Sequence, residues 1–381
     1  MTGVQTCALP ISELTISQAD PDRVYVVVAD NNGGMKGVWR STDGGYGFTN
    51  IYAQANTGNS NHNLLNGSCY PGPVSGGQGH YDLAIVAHPE DANVLFIGGI
   101  NTWKSTNGGA SFSIVNHWNS TCSSTVEIVH ADKHCLAIQD GSLALFEGND
   151  GGIYKSQNNG VDWQDLSNGL VISQFYRIAT AQTHSSEVIG GLQDNGTKLT
   201  QSGLWSDIMG ADGMDCAIDF TTNQVQYCTK QFGSLYRTTN HWASNTYISG
   251  SLGSGAWVTP LLIDPVAHNT IYFAPSGQIK KSLNRGTTWS TIGTFSGNNI
   301  TSMDVSPSSP LYIYASNGTT LNRTSTGNTP WTVISDSLPI ATSSITSITI
   351  SQNDPNRVWI GMGGYNSDCV FETTNGGITW N

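Results

Sequence analysis

Short apolar runs come in pairs along this chain, and each pair brackets a polar turn. Leu83 opens LAIVAHPEDANVLFIGG, Leu261 opens LLIDPVAHNTIYFAP and Ile348 opens ITISQNDPNRVWIGMGG. β-Branched and aromatic residues around a Pro, Asp or Asn turn predict antiparallel hairpins. After each pair comes a third run that ends in a charged residue and then Ser or Thr. It leads into a turn of the form x-Asp/Asn-x-Gly-x-x-Trp/Phe. Clear copies begin at Ser41 (STDGGYGF), Ser105 (STNGGASF), Ser156 (SQNNGVDW), Ser282 (SLNRGTTW) and Thr373 (TTNGGITW), with worn copies at Thr238 (TTNHW) and Thr324 (TSTGNTPW). The starting points lie 64, 51, 82, 44, 42 and 49 residues apart. The gap of 82 is nearly twice the shorter ones, so one unit lacks its turn; that unit is visible as EVIGGLQDNGTKL, Glu187 to Leu199, and the count reaches eight.

A unit therefore reads as strand, turn, strand, loop, strand, motif turn, strand. Four antiparallel strands every 40 to 50 residues describe the blade of a β-propeller, so the expected class is all-β with seven or eight blades. The motif turn has a mechanical explanation. The carboxylate or amide of Asp43, Asn107, Asn158, Asn284 and Asn375 accepts N–H groups of its own turn. Glycine supplies the left-handed backbone, and the closing aromatic (Trp163, Trp289, Trp380) folds into the layer between sheets. The basic residues before the turns are Arg40, Lys104, Lys155, Arg237, Lys281 and Arg323, with Glu372 in the last copy. Their repetition at one strand position predicts a solvated face and not a phosphate clamp.

Composition narrows the function classes. The formal charge of −12 argues against nucleic acid and against anionic membrane surfaces, both of which need clustered Lys and Arg. No apolar run is long enough to insert in a bilayer. Met1 to Ile11 (MTGVQTCALPI) resembles the conceptual translation of a sequencing adapter, so residues 1–11 are set aside as an artefact and 12–381 read as the propeller, truncated at both ends. The six cysteines outside that segment form no CxxC pair. Cys69 and Cys122 fall in two polar loops and could bridge, while Cys135 lies in an apolar strand and is expected to be a buried thiol. Low Lys, abundant Asn, Ser, Thr and Gly, and a candidate disulfide point to an extracellular or cell-surface setting.

The motif turns resemble the Asp-box (BNR) repeats of sialidases, sortilin-type receptors, tandem-propeller xyloglucanases and photosystem assembly propellers. The segments GGQGHYDLAI, HADKH, FEGNDGGIYKS, LSNGLVISQFYRIA, GGLQDNGTKL and ADGMDCAIDF are similar to large secreted BNR-repeat proteins of Bacteroidetes-type bacteria. That resemblance implies export by a type IX system. Sialidase chemistry is not implied, because the arginines it needs are scarce and only Tyr176-Arg177-Ile178-Ala179 approaches the family's FRIP-like motif.

The motif turns mark one end of the sheets, so binding residues are expected on loops at the other end. His130-Ala131-Asp132-Lys133-His134 would, on a strand, project His130, Asp132 and His134 to one side, where they could hold a divalent metal. Tyr81, Asp82, Asp132, Tyr176, Arg177, Asp194 and Asp212 are the candidate ligand-binding residues. Tyr70, Tyr81, Trp118 and Tyr176 are the aromatics available for stacking on sugar rings. Asp150, Asp82, Asp212 and Asp215 are the candidate catalytic carboxylates; Asp150 in GNDGGIYKS is similar in context to an acidic loop of the xyloglucanases. The leading expectation is a module binding a glycan or an extracellular protein. The alternative is a glycoside hydrolase, whose chemistry requires two carboxylates at a defined separation.

Overall fold

The computed structural model describes residues 11–53, 58, 61–73, 76–170, 172–364 and 369–381, so Cys7 and Pro10 lie outside the described residues. It forms two compact units, Met1–Ile172 and Ser173–Asn381. In the first, three sheets follow one another in chain order. One holds Ser12–Ile16, Val24–Ala29, Met35–Ser41 and Thr49–Tyr52. The next holds Ala84–Ala87, Leu95–Gly98, Thr102–Ser105 and Ser113–His117, with Glu127–Ile128 added in parallel at its edge. The third holds Lys133–Ile138, Leu145–Asn149, Gly152–Ser156 and Gln164–Asp165. A short hairpin of Asn61–Asn63 and Gly72–Pro73 lies in the long insertion between the first two.

The second unit continues the same meander. Its sheets begin with the strands Phe175–Thr180, Gly213–Ile218, Leu261–Ile263, Ser302–Val305 and Ser344–Ile350. Four have four strands, and the last has three among the described residues. In the unit expected to lack its motif turn, Gly196–Gln201 joins Leu204–Met209 through Ser202 and Gly203, both at positive φ (53° and 82°). That is a tight two-residue hairpin, which does the same job as the missing turn. No helix among the described residues is long and apolar enough to cross a membrane.

The core lies between consecutive sheets and not within them. Val27 and Val38 of one sheet pack with Ile85 and Leu95 of the next. Tyr227 and Leu235 pack in the same way with Leu261 and Ile271. The closing tryptophans enter these layers: Trp163 against the Phe96–Leu145 layer, Trp289 against the Tyr227–Ile271 layer, and Trp380 beside Val358 and Ile360.

The repeated turns share one hydrogen-bond scheme. The hydroxyls of Ser41, Ser105, Ser156, Ser282 and Thr373 accept the N–H four residues on at 2.8–2.9 Å. Asp43, Asn107, Asn158, Asn284 and Asn375 each accept a second N–H, at 2.8–3.0 Å, from Gly47, Ser111, Asp162, Thr288 and Thr379. The Ser41 hydroxyl and the Gly47 N–H hold the Asp43 carboxyl below its usual range. Two consecutive residues, not one, adopt left-handed backbone; the first of them is Gly44, Gly108, Asn159, Arg285 or Gly376, at φ of 58–70°.

That first left-handed residue corrects the expectation of a solvated basic face. Its carbonyl is the acceptor for the basic residue of the preceding repeat: Arg40 to Gly108 O (3.2 Å), Lys104 to Asn159 O (3.2 Å), Arg237 to Arg285 O (2.7 Å) and Arg323 to Gly376 O (2.7 Å). These side chains are half-buried, and the ammonium groups of Lys104, Lys155 and Lys281 lie over the rings of Phe96, Phe146 and Tyr272. Arg237→Ala is expected to lower unfolding free energy by about 1.5–3 kcal/mol, the usual worth of a hydrogen bond to a charged group. Arg237→Lys should restore part of it in a denaturant titration. An unchanged midpoint in the Ala variant would show that the contact carries no stability.

Candidate functional site

In residues 11–170, five of the expected site residues (Tyr81, Asp82, Asp132, His134 and Asp150) meet at the end of the sheets opposite the motif turns. Tyr81 and Asp82 precede Ala84–Ala87, Asp132 precedes Lys133–Ile138, and Asp150 sits in the turn between Leu145–Asn149 and Gly152–Ser156. Asp150 is the hub: one oxygen accepts the Tyr81 hydroxyl at 2.8 Å and the other meets His134 Nε2 at 2.7 Å. The Tyr81 and His134 rings stand edge to face with centroids 4.9 Å apart. The hydrogen bond that His134 donates to Asp150 raises the imidazole above its ordinary value and favours its charged form.

Asp132 accepts the Gln78 amide at 2.8 Å and lies within 4.8 Å of Asp150, oxygen to oxygen. Burial, and then Asp150, raise its carboxyl. Asp82 is wholly buried; burial and the adjacent Asp132 carboxylate push it up to about 8.

The sequence places His130, Asp132 and His134 on one strand, and the structure corrects this. The strand begins at Lys133, Asp132 is left-handed at φ 65°, and the register slips between Lys133 and Cys135. Alternation is therefore broken, with His134 turned to Asp150 and His130 packed where a side chain at Gly151 would collide with its ring. The slip also leaves Cys135 exposed, against the expectation of a buried thiol.

Beneath the cluster lies a network that the residue types do not announce. Lys133 is fully buried; its ammonium donates to Ile100 O (2.9 Å) and His130 O (2.5 Å) and pairs with the equally buried Glu147 at 3.5 Å. Glu147 also accepts from Thr102 (2.6 Å), Asn116 (2.8 Å) and Asn149 (3.1 Å). This fastens the second sheet to the third directly below Asp132 and His134.

Beside the cluster the Cys69–Cys122 disulfide ties the insertion to the loop after Ser113–His117. Two exposed aromatics flank it, Tyr70 (77% exposed) and Trp118 (46%). Trp118 is fixed from two sides: its indole N–H donates to Gly67 O at 3.1 Å and its backbone N–H to Asn101 at 3.1 Å.

No family model matches the chain, and no curated protein does. Among solved structures it is similar to a GH74 enzyme of Niastella koreensis, at 13% identity over 97% of this chain and 64% of that one, with a TM-score of 0.30. It is similar also to the GH74 xyloglucanase from Xanthomonas campestris (15% identity, 97% and 66%, TM-score 0.29) and to YCF48 bound to D1 peptide (12% identity, 81% and 89%, TM-score 0.28). The chain thus spans less than two thirds of the length of either GH74 structure. Likenesses at this level do not identify a family.

In residues 173–381 the remaining candidates sit on the starts of sheets and the loops beside them. Asp212 accepts the Asp194 N–H at 2.8 Å and the Gln231 amide at 2.7 Å. Asp215 accepts the N–H groups of Cys216 (2.9 Å) and Leu261 (3.0 Å), and burial pushes it up to about 6. Tyr176 is half-buried and the neighbouring Arg177 is exposed. Arg177 and Asp215 line a cavity of about 540 Å³ whose wall is made by the first strands of all five sheets of this unit, through residues such as Ile178, Ala217, Leu262, Met303 and Ile348.

Proposed function

We propose that this chain is a β-propeller module of an exported protein and that it binds a glycan at the end of the sheets opposite the Asp-box turns. Three features support the setting. Successive four-stranded meanders pack layer on layer, five first strands share one cavity as inner strands of blades do, and the Cys69–Cys122 disulfide suits an oxidising compartment.

The observation that carries the ligand class is the pair of exposed aromatics, of which Trp118 is immobilised by two hydrogen bonds. Tyr70 and Trp118 are held out to solvent beside a disulfide. A large apolar ring kept rigid outside the core, as Trp118 is, offers a stacking surface that costs little entropy to occupy. The Tyr81–Asp150–His134 cluster adds the hydroxyl, carboxylate and imidazole groups that a sugar's hydroxyls bond.

Binding is favoured over hydrolysis by how the four candidate carboxylates are used. Asp82 is buried away from any substrate, and both oxygens of Asp150, Asp212 and Asp215 already accept protein hydrogen bonds. Affinity electrophoresis through gels loaded with single polysaccharides tests the reading. One polysaccharide should retard the chain, and Trp118→Ala should weaken retardation about tenfold. Equal mobility in every gel would remove the glycan and leave a protein partner. Release of reducing ends would instead support the hydrolase.

A further inference from the structure

Two of the described cysteines outside the Cys69–Cys122 bridge face each other. Cys216 on Gly213–Ile218 and Cys228 on Gln226–Lys230 are register partners on adjacent antiparallel strands, and both are free, buried thiols. Residues directly opposite in such a ladder point to the same face of the sheet. Their surroundings agree: Cys216 lies beside Gly191 and Cys228 beside Thr197, and Gly191 and Thr197 are themselves partners in the preceding sheet. A side chain at Gly191 would collide with the backbone of Met214, so the two sheets close tightly over the thiols.

The place in the ladder sets the distance. The Asp219 N–H donates to Val225 O at 3.0 Å, which makes those two a hydrogen-bonded pair. Such pairs alternate along antiparallel strands, so Ala217 and Tyr227 are hydrogen-bonded while Cys216 and Cys228 are not. The Cys216 N–H turns instead to the Asp215 carboxylate, at 2.9 Å. Non-hydrogen-bonded partners stand closest, with Cα atoms roughly 4.5 Å apart. A disulfide spans Cα separations of about 4.4–6.8 Å, so the backbone already lies where that bond needs it. What keeps the sulfurs apart is χ1: Cys216 Sγ lies 3.8 Å from Met214 O, and Cys228 leans on Thr197.

We propose that Cys216 and Cys228 are a dithiol–disulfide pair that closes across the two strands when the chain meets a disulfide oxidant such as glutathione disulfide. Cys216 is the less deeply buried, 6% exposed against 0%. It loses its proton and attacks one sulfur of the oxidant, and the first oxidant thiolate leaves. Cys228 then loses its proton and attacks Cys216 Sγ, which forms the protein S–S bond and expels the second oxidant thiolate. The protein gives up two electrons and two protons, and the oxidant becomes two thiols. Burial pushes both protein thiols up, Cys228 to about 12, so thiolate is scarce and exchange waits on local opening of the sheet. Once closed, the bond staples the strand that carries Asp215 and brings Ala217 to the cavity wall. The inference does not depend on the glycan reading.

The test uses the full chain, reduced with a phosphine and then held in a glutathione redox buffer at about pH 8.5 with low urea to admit the oxidant. Remaining thiols are blocked with N-ethylmaleimide in denaturant. Chymotrypsin then separates the two cysteines at Phe220 and Tyr227, where trypsin has no site. A linked pair of peptides holding Cys216 and Cys228, lighter by two hydrogens than the separate thiols, should become their major form. The rise in thermal midpoint on oxidation should be at least about 3 °C larger in the parent than in Cys228→Ala. Full labelling of both cysteines would overturn the pair, as would linkage of either to Cys135 or Cys369. The peptide map needs no variant, so it decides even where Cys228→Ala fails to fold. An equal midpoint rise in the two proteins would overturn the staple.

Discussion

Lys133→Met is expected to lower the unfolding free energy by about 3–5 kcal/mol, because it leaves Glu147 charged in the interior without its counter-ion. Both side chains are completely buried, and three further donors from Thr102, Asn116 and Asn149 orient the carboxylate toward this position. Those donors cannot replace the ammonium's charge. Burial drives the Lys133 ammonium's affinity for its proton down while Glu147 acts in the opposite sense, so the pair persists as an ion pair only while both partners remain. Adding Glu147→Gln to the variant should recover part of the loss. Urea titrations of the four proteins close the cycle. A loss below about 1 kcal/mol in Lys133→Met would mean that Glu147 takes up a proton at little cost.

A second large effect should appear as a pH dependence of stability. Asp304 accepts the N–H groups of Val305 and Ile350, each at 2.8 Å, tying the first strand of one sheet to the first strand of the next. Asp215 does the same between Gly213–Ile218 and Leu261. Burial outweighs these bonds and carries the Asp304 carboxyl up to about 6, from 3.8 in the unfolded chain. A raised carboxyl binds its proton more tightly in the folded state, so its contribution is full below the unfolded value and is lost as pH climbs through about 6. The loss for this one group is roughly 3 kcal/mol. Asp304→Asn cannot ionise and loses one of the two hydrogen bonds, so it should start about 1 kcal/mol less stable at pH 4 and become about 1–2 kcal/mol more stable than the parent by pH 7. Comparing the two proteins at each pH removes the contribution of carboxyls shifted the other way, such as Asp43 and Asp219. Parallel curves for the two proteins would rule the mechanism out.

The repeat was legible because it is local. A hydroxyl, an Asp or Asn two residues on, a left-handed Gly and an aromatic all act within one turn, so their spacing survives in the chain. The unit without its turn could be placed because its strand pair keeps the alternation. The site was legible only in part, since Tyr81 and Asp82 before one sheet meet Asp150 and Asp132 of the next only through the packing of the two sheets. Their identities drew notice but their spacing carried no geometry. The HADKH segment misled because alternation assumes an unbroken strand, and the left-handed Asp132 with the register slip breaks it. Lys133 was the least visible: lysine in a polar segment reads as solvated, and only Glu147, on the neighbouring strand, explains its burial. The basic residues before the motif turns were misread for a related reason, their acceptors lying 48 to 68 residues downstream in four cases.

Those downstream acceptors make four of the joints directional. A repeat supplies a donor to its successor and an acceptor to its predecessor, using a backbone carbonyl that exists whatever side chain occupies the position, as Gly108, Asn159 and Arg285 illustrate. A copied segment of the gene would therefore arrive with both halves of the fastening already encoded. Chains of this kind can gain or shed modules by recombination without a new contact having to evolve at the seam.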